Sequence, residues 1–205
     1  MTVRVKICGL TRLEDALEAV RLGADALGFN FWPGSRRFIA PGQAREIIRR
    51  LPPLVTSVGV FVDPTHDEAV AAAAISGVQV IQLHGSESPT SCRAFQLPVL
   101  KAVPVGGQEA LAAAAAYAGL SGLLLDAPTP GHGGSGQPCH WPTARILAER
   151  APVILAGGLH PGNVAAAIAA VRPYGIDVAS GVESSPGLKD HQLMARFIAA
   201  AKESP

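Results

Sequence analysis

Val5-Lys6-Ile7-Cys8-Gly9-Leu10-Thr11 reads as a short apolar strand that stops at a glycine. The run 12–22 behind it has the spacing of an amphipathic helix. Alternation along the strand puts Lys6 and Cys8 on one face and Val5 and Ile7 on the other. Working outward, the same strand-then-helix unit recurs to the end of the chain. Further strands are expected at 25–31, 55–62, 78–83, 98–103, 122–125, 153–156 and 176–179. Helices are expected at 41–51, 65–75, 88–95, 108–117, 141–149, 161–170 and 189–202, with Pro41 placed in a first turn where its missing N–H costs nothing. The strands are mostly continuous Val/Ile/Leu runs, as parallel strands covered on both faces require. Eight units of about 25 residues match a minimal (β/α)8 TIM barrel of the α/β class, whose sizes begin near 200 residues. No linker interrupts the series, so 1–205 is expected to be one domain. The alternative, an open doubly wound sheet, would carry fewer strands and a glycine fingerprint in its first turn, G-x-G-x-x-G, which is missing here.

Composition narrows the function. Hydrophobic residues are 48% and charged residues 16% of the 205, which excludes a disordered chain. No apolar run reaches the ~18 residues a spanning helix needs, so no membrane role is expected. The first residues lack a basic segment followed by an apolar signal core. Three cysteines (Cys8, Cys92, Cys139) form no even framework and no C-x-x-C, and together these point to the cytoplasm. A net charge of +1 with scattered basic residues offers no nucleic-acid surface.

In a barrel of this kind the residues that end the strands share one rim, and the chemistry lies there. The first strand ends at Cys8. The second leads to Asn30 and then Ser35-Arg36-Arg37-Phe38, the third ends at Asp63, the fourth carries Gln82 and His84 on one face, and the sixth ends at Asp126. The seventh runs into Gly157-Gly158, and the eighth passes Asp177 into Ser180-Gly181. Two glycine pairs at the last two tips suit a phosphate, because glycine lets backbone N–H groups approach its oxygens. Cys8 can act as a base if its surroundings favour the thiolate, though free cysteines are more often inert core residues. Lys6 could assist it, or could form a structural ion pair with Asp177 or Glu183. Asp126 behind Leu123-Leu124-Leu125 can act as an acid if partly desolvated; otherwise it is a loop carboxylate capping an N–H. Arg36 and Arg37 are candidates for a bidentate carboxylate contact, or plain loop arginines. His132, Cys139 and His140 match no zinc spacing, and Cys92 and His191 read as packing and surface.

Taken together, VKICGLT (5–11), LGFNFWPGSRRF (27–38), VGVFVD (58–63), QLHG (82–85), LLLD (123–126), GGSG (133–136), AGGLHPGN (156–163) and DVASGVESSPGLKD (177–190) closely resemble the phosphoribosylanthranilate isomerase family of tryptophan biosynthesis. They follow its order over nearly the whole chain. The resemblance implies a barrel that carries out an Amadori rearrangement without metal or organic cofactor. Its substrate would be the small phosphosugar N-(5-phosphoribosyl)anthranilate and its product 1-(2-carboxyphenylamino)-1-deoxyribulose 5-phosphate. Carried over by position, it implies Cys8 as general base, Asp126 as general acid and Arg37 on the anthranilate carboxylate. The phosphate would rest on Gly157, Gly158, Ser180 and Gly181, with Gly134, Ser135 and Gly136. Lys6, Gln82, His84 and Asp177 would support the site.

The family usually has Phe-Asp-Trp where this chain has Cys139-His140-Trp141, so His140 replaces an aspartate N-cap and is expected to cap less well, by about 1 kcal/mol. Two rivals are a broader phosphosugar isomerase that also takes the related histidine-pathway aminoaldose, and a phosphate-binding barrel without catalysis. The first tends to show two similar halves and an aspartate pair, against a cysteine here; the second is opposed by the presence of both Cys8 and Asp126. Either a monomer or a homodimer is compatible with the sequence.

Overall fold

The structure is a computed structural model and describes residues 2–128 and 139–204. Its strands are β1 (Arg4–Cys8), β2 (Ala26–Asn30), β3 (Thr56–Phe61), β4 (Val80–Leu83), β5 (Val99–Pro104), β6 (Gly122–Asp126), β7 (Val153–Leu155) and β8 (Gly175–Val178). They pair in parallel in chain order, and β1 closes on β8 to complete the barrel. The helices are α1 (Leu13–Leu22), α2 (Pro41–Ile48), α3 (His66–Ser76), α4 (Pro89–Cys92), α5 (Ala110–Ala115), α6 (Trp141–Ala148), α7 (Val164–Val171) and α8 (His191–Lys202).

Register explains which residues face the lumen. Lys6 lies beside Ala26 and Asp177, and Cys8 beside Gly28. Val60 lies beside Gln82, and Pro104 beside Asp126. The intervening residues Val5, Ile7, Leu27, Phe29, Ile81, Leu83 and Leu125 are buried in the large apolar layer between strands and helices. A second, small apolar cluster of Ala102, Leu124 and Ala156, with Ile154 against it, fills the barrel interior. Above that plug the polar lumen residues Cys8, Gln82 and Asp126 emerge at the C-terminal mouth, so the alternation that builds the core also selects the residues of the site.

Helix limits differ from expectation where local chemistry intervenes. The helix expected at 88–95 is a single turn, α4, capped by the Ser88 hydroxyl, which accepts from Ser91 N. The segment expected to open at 161 first makes a turn closed by Asn163 Oδ1 accepting from His160 N at 2.8 Å, and α7 begins at Val164. A small antiparallel hairpin, β9 (Glu183–Ser185) with β10 (Leu188–Lys189), was not expected, since its strands are only three and two residues long. His140 caps α6: Nδ1 lies 3.4 Å from Thr143 N, which donates to it, and 2.9 Å from Thr143 Oγ1. An unprotonated imidazole nitrogen can accept as a carboxylate oxygen does, but at 3.4 Å the bond is long. Among the described residues no helix is long and apolar enough to cross a membrane.

Candidate active site at the C-terminal mouth

A cavity of about 280 Å³ opens at the C-terminal ends of the strands. Cys8, Arg37, Gln82, His84, Asp126 and Asp177 line it, together with Gly157, Gly158 and Ser180 from the seventh and eighth tips. Residues as far apart in sequence as Cys8 and Ser180 thus meet around one space. Of the expected phosphate glycines, Gly157 and Gly158 both have positive φ, +81° and +60°, and Gly181 lies in the short 3-10 turn after β8, packed against the Leu159 carbonyl. Gly134, Ser135 and Gly136, like His132, lie outside the described residues. The other two of the expected non-metal trio are accounted for, His140 as a cap and Cys139 as a buried thiol.

On the β1–β8 side, Lys6 is 3% exposed and its Nζ donates to Asp177 Oδ1 at 2.8 Å. Of the two partners foreseen for it, the structure selects Asp177. Burial works to lower the Lys6 pKa, but the negative charge of Asp177 and the neighbouring thiol outweigh it and push it up. Lys6 is therefore a fixed cation beside Cys8. The Cys8 thiol is itself pushed above its ordinary value by burial, with Lys6 and Lys189 pulling the other way. The base is thus mostly thiol when the site is empty, and its deprotonated form has a lysine in contact to stabilise it.

Gly28 makes that contact possible. A Cβ there would stand 2.7 Å from Cys8 Sγ and 3.0 Å from Lys6 Nζ, so both groups occupy the space a side chain would need. Gly28→Ala should lower kcat by about 10²-fold, the lower end of what a misplaced base costs. Equilibrium unfolding should show a loss of about 1–3 kcal/mol for the overpacking. Unchanged kcat would mean that Sγ does not act from this position.

On the β4–β6 side, Asp126 Oδ1 accepts from its neighbour Ala127 N at 2.8 Å, and Oδ2 lies 3.1 Å from His84 Nε2. His84 Nδ1 in turn lies 3.1 Å from Gln82 Nε2. Cys139 is pushed up to about 12, by burial first and then by the charge of Asp126, so it stands by the carboxylate as an uncharged thiol. The sequence singled out His84 but not what holds its loop. Lys101 Nζ, buried, donates to Gly85 O at 2.6 Å and to Glu87 Oε2 at 2.9 Å. Glu87 Oε1 accepts from Asp63 N and Gly85 N. This buried pair clamps the segment that carries His84, and Asp63 serves that clamp from the third tip.

Arg37 reaches the cavity by laying its aliphatic stem across Gly9, where φ is +77° and any Cβ would collide with it. Glu183 takes one edge of its guanidinium: Nε donates at 2.9 and 3.1 Å and Nη2 at 2.7 Å. Lys189 Nζ binds the same carboxylate at 2.8 Å and also Cys8 O at 2.6 Å. Burial works to raise the Glu183 pKa, but Arg37 and Lys189 hold it below its ordinary value, so it stays ionised. A guanidinium has five donors, and this pairing leaves the Nη1 side for a second carboxylate. Glu183 and Lys189 were missed as site residues because only the hairpin after β8 brings them back over β1.

Fold and rim together define a (β/α)8 barrel with an acid, a thiol and a cationic fork around one polar cavity. The family model described as N-(5'phosphoribosyl)anthranilate (PRA) isomerase matches residues 5–200. An N-(5'-phosphoribosyl)anthranilate isomerase of Desulforudis audaxviator is 53% identical over 203 residues, 98% of each chain. That of Nitrosospira multiformis is 48% identical over 202 residues, 97% of this chain and 96% of the relative. Among solved structures, the Thermotoga maritima enzyme superposes with a TM-score of 0.92 at 45% identity, covering 98% of each chain. A phosphoribosyl anthranilate isomerase in complex with reduced 1-(o-carboxyphenylamino)-1-deoxyribulose 5-phosphate does so with a TM-score of 0.89 at 42% identity, again over 98% of each. The chain belongs to the N-(5'-phosphoribosyl)anthranilate isomerase family, and its activity is the isomerisation of that phosphosugar in tryptophan biosynthesis.

Proposed function

We propose that Asp126 is the general acid and Cys8 the general base of an Amadori rearrangement carried out by a single catalytic domain spanning 1–205. The observation that carries this reading is that the two side chains line one cavity from opposite sides of the barrel, strands one and six, with a fixed lysine beside the thiol. Asp126 gives its proton to the furanose ring oxygen; the C1′–O bond breaks and an iminium forms between C1′ and the anthranilate nitrogen. The Cys8 thiolate then removes the proton on C2′. The electron pair of that C–H bond becomes the C1′–C2′ double bond of an enolamine, and the iminium electrons return to nitrogen. Tautomerisation at C1′ gives the ketone. The positive charge of the iminium acidifies C2′–H at the moment the thiolate needs it. The phosphate on Gly157, Gly158, Ser180 and Gly181, and the carboxylate on Arg37, fix the sugar between the two groups, so that remote binding energy pays for orientation.

The product analogue held by the solved relative carries both a carboxyphenyl group and a phosphate, which suits a cavity with a cationic fork and glycine tips. Free cysteines at all three positions favour a reducing, cytoplasmic setting. The working unit is a monomer or a homodimer; a Thermotoga maritima relative is dimeric and has also been obtained as monomers.

The test is the loss of phosphoribosylanthranilate fluorescence with EDTA present, for wild type and Arg37→Ala. Wild type should turn over without added metal. Arg37→Ala should raise KM by about 10- to 100-fold, the worth of a charge-assisted bidentate contact. It should leave the affinity for a phosphosugar analogue lacking the carboxylate almost unchanged. Equal losses for both ligands would remove Arg37 from the carboxylate.

A further inference from the structure

The chain Gln82–His84–Asp126 contains more proton bookkeeping than the acid alone requires. An amide nitrogen donates and does not accept. Gln82 Nε2 is the atom facing His84 Nδ1, at 3.1 Å, so Nδ1 is the acceptor. The ring proton of neutral His84 is then on Nε2, and it points at Asp126 Oδ2, 3.1 Å away. The other Asp126 oxygen already accepts the Ala127 N–H, so the acid's own proton belongs on Oδ2 as well. An Oδ2–H oxygen can accept from His84 Nε2–H while its own hydrogen points into the cavity.

The orientation of the amide has a physical reason. Gln82 is 1% exposed, and its Oε1 is buried with no hydrogen-bond partner among the described residues. Turning the amide over would put the NH2 in that place and bury its donors without an acceptor. Orphaned N–H donors are rarer in proteins than under-satisfied carbonyl oxygens. The observed orientation is therefore the less costly one.

We propose that Gln82 is a positioning residue that keeps His84 in its Nε2–H tautomer, so that His84 supports the Asp126 carboxylate and does not compete for the acid's proton. In the opposite tautomer, Nε2 would be a bare acceptor 3.1 Å from Oδ2 and would draw the proton away from the ring oxygen. With Nε2–H in place, the Oδ2–H bond breaks, the proton passes to the ring oxygen, and the carboxylate left behind accepts the His84 N–H. No proton moves along the Gln82–His84 link. This rests on Asp126 being the acid, but it makes a separate statement about His84 that can be read without turnover.

The first measurement is the ¹⁵N chemical shifts of the His84 ring in wild type, assigned by their loss in His84→Asn. An unprotonated Nδ1 and a protonated Nε2 are expected; the reverse tautomer would overturn the proposal. The second uses Gln82→Glu, which keeps the shape but offers only acceptors once ionised. Its His84 should become protonated at Nδ1, and kcat should fall by about 10²-fold with KM little changed, as expected when an acid–base group is held in the wrong proton arrangement. Gln82→Met, which removes the donor without adding charge, should lose kcat to a smaller extent. Unchanged kcat in both variants would overturn the role. If the wild-type tautomer is as stated and Asp126→Asn still turns over normally, the acid assignment has failed and not the tautomer.

Discussion

Replacing Cys8 by alanine should lower kcat by about 10²–10⁴-fold, the range that general acid–base groups supply, while binding of a reduced product analogue survives. The reason is geometric. Cys8 Sγ lies over Gly28 with Lys6 beside it, whereas the expected binding groups are Arg37 and the glycines after β7 and β8. Serine should fail almost as badly. Its hydroxyl fits the same space, but a lysine that can assist a thiolate cannot make an alkoxide at neutral pH. The check is single-turnover kinetics beside calorimetric binding of the analogue. Normal turnover by the alanine variant would remove Cys8 from the chemistry, and lost binding with lost turnover would show that the change had damaged the site as a whole.

Asp126→Asn should cost a comparable factor of about 10²–10⁴, and its pH dependence should separate the two proton-bearing groups. The reacting enzyme needs a carboxylic acid and a thiolate together. That form holds the same number of protons as the resting form with a carboxylate and a thiol, because carboxyls ordinarily ionise at lower pH than thiols. Wild-type kcat/KM is therefore flat between the two macroscopic ionisations and falls on either side. The alkaline fall reports the thiol, which burial pushes above its ordinary value. In Asp126→Asn no acid is left to titrate, so the residual rate should rise with pH through that same ionisation. Opposite slopes through the alkaline limb in wild type and variant are the expected result. A falling slope in both would mean that the alkaline limb belongs to a group other than Cys8.

The barrel was legible because its signal is redundant: eight apolar runs, each followed by a helical spacing, agree on one topology. The rim was legible for the same reason, since a strand that ends in a polar residue must present it at the mouth, as Cys8, His84 and Asp126 do. What sequence could not supply was pairing. Arg37 meets Glu183 from 146 positions away, and Lys101 meets Glu87 only because β5 lies beside β4. Such partners are set by register and by loop return. Gly28 is another case: it reads as an ordinary strand glycine until β1 is laid beside it and the thiol is found where its side chain would be. Short irregular pieces were misjudged where one side-chain hydrogen bond decides a boundary, as at Asn163 before α7.

The Lys6–Asp177 pair joins the first strand to the last, 171 positions apart, and Lys189 fastens the final hairpin to the carbonyl of Cys8. The surroundings of the thiol are thus assembled from the two ends of the chain. Contacts of such sequence separation carry the largest loop-closure cost and are the ones that slow folding. No nascent or truncated chain that lacks its last two βα units can hold this cysteine beside both lysines. During synthesis the buried setting that raises the thiol's pKa and sets both lysines against it appears only with the closing seam, and until then Cys8 is an ordinary cysteine of an open chain.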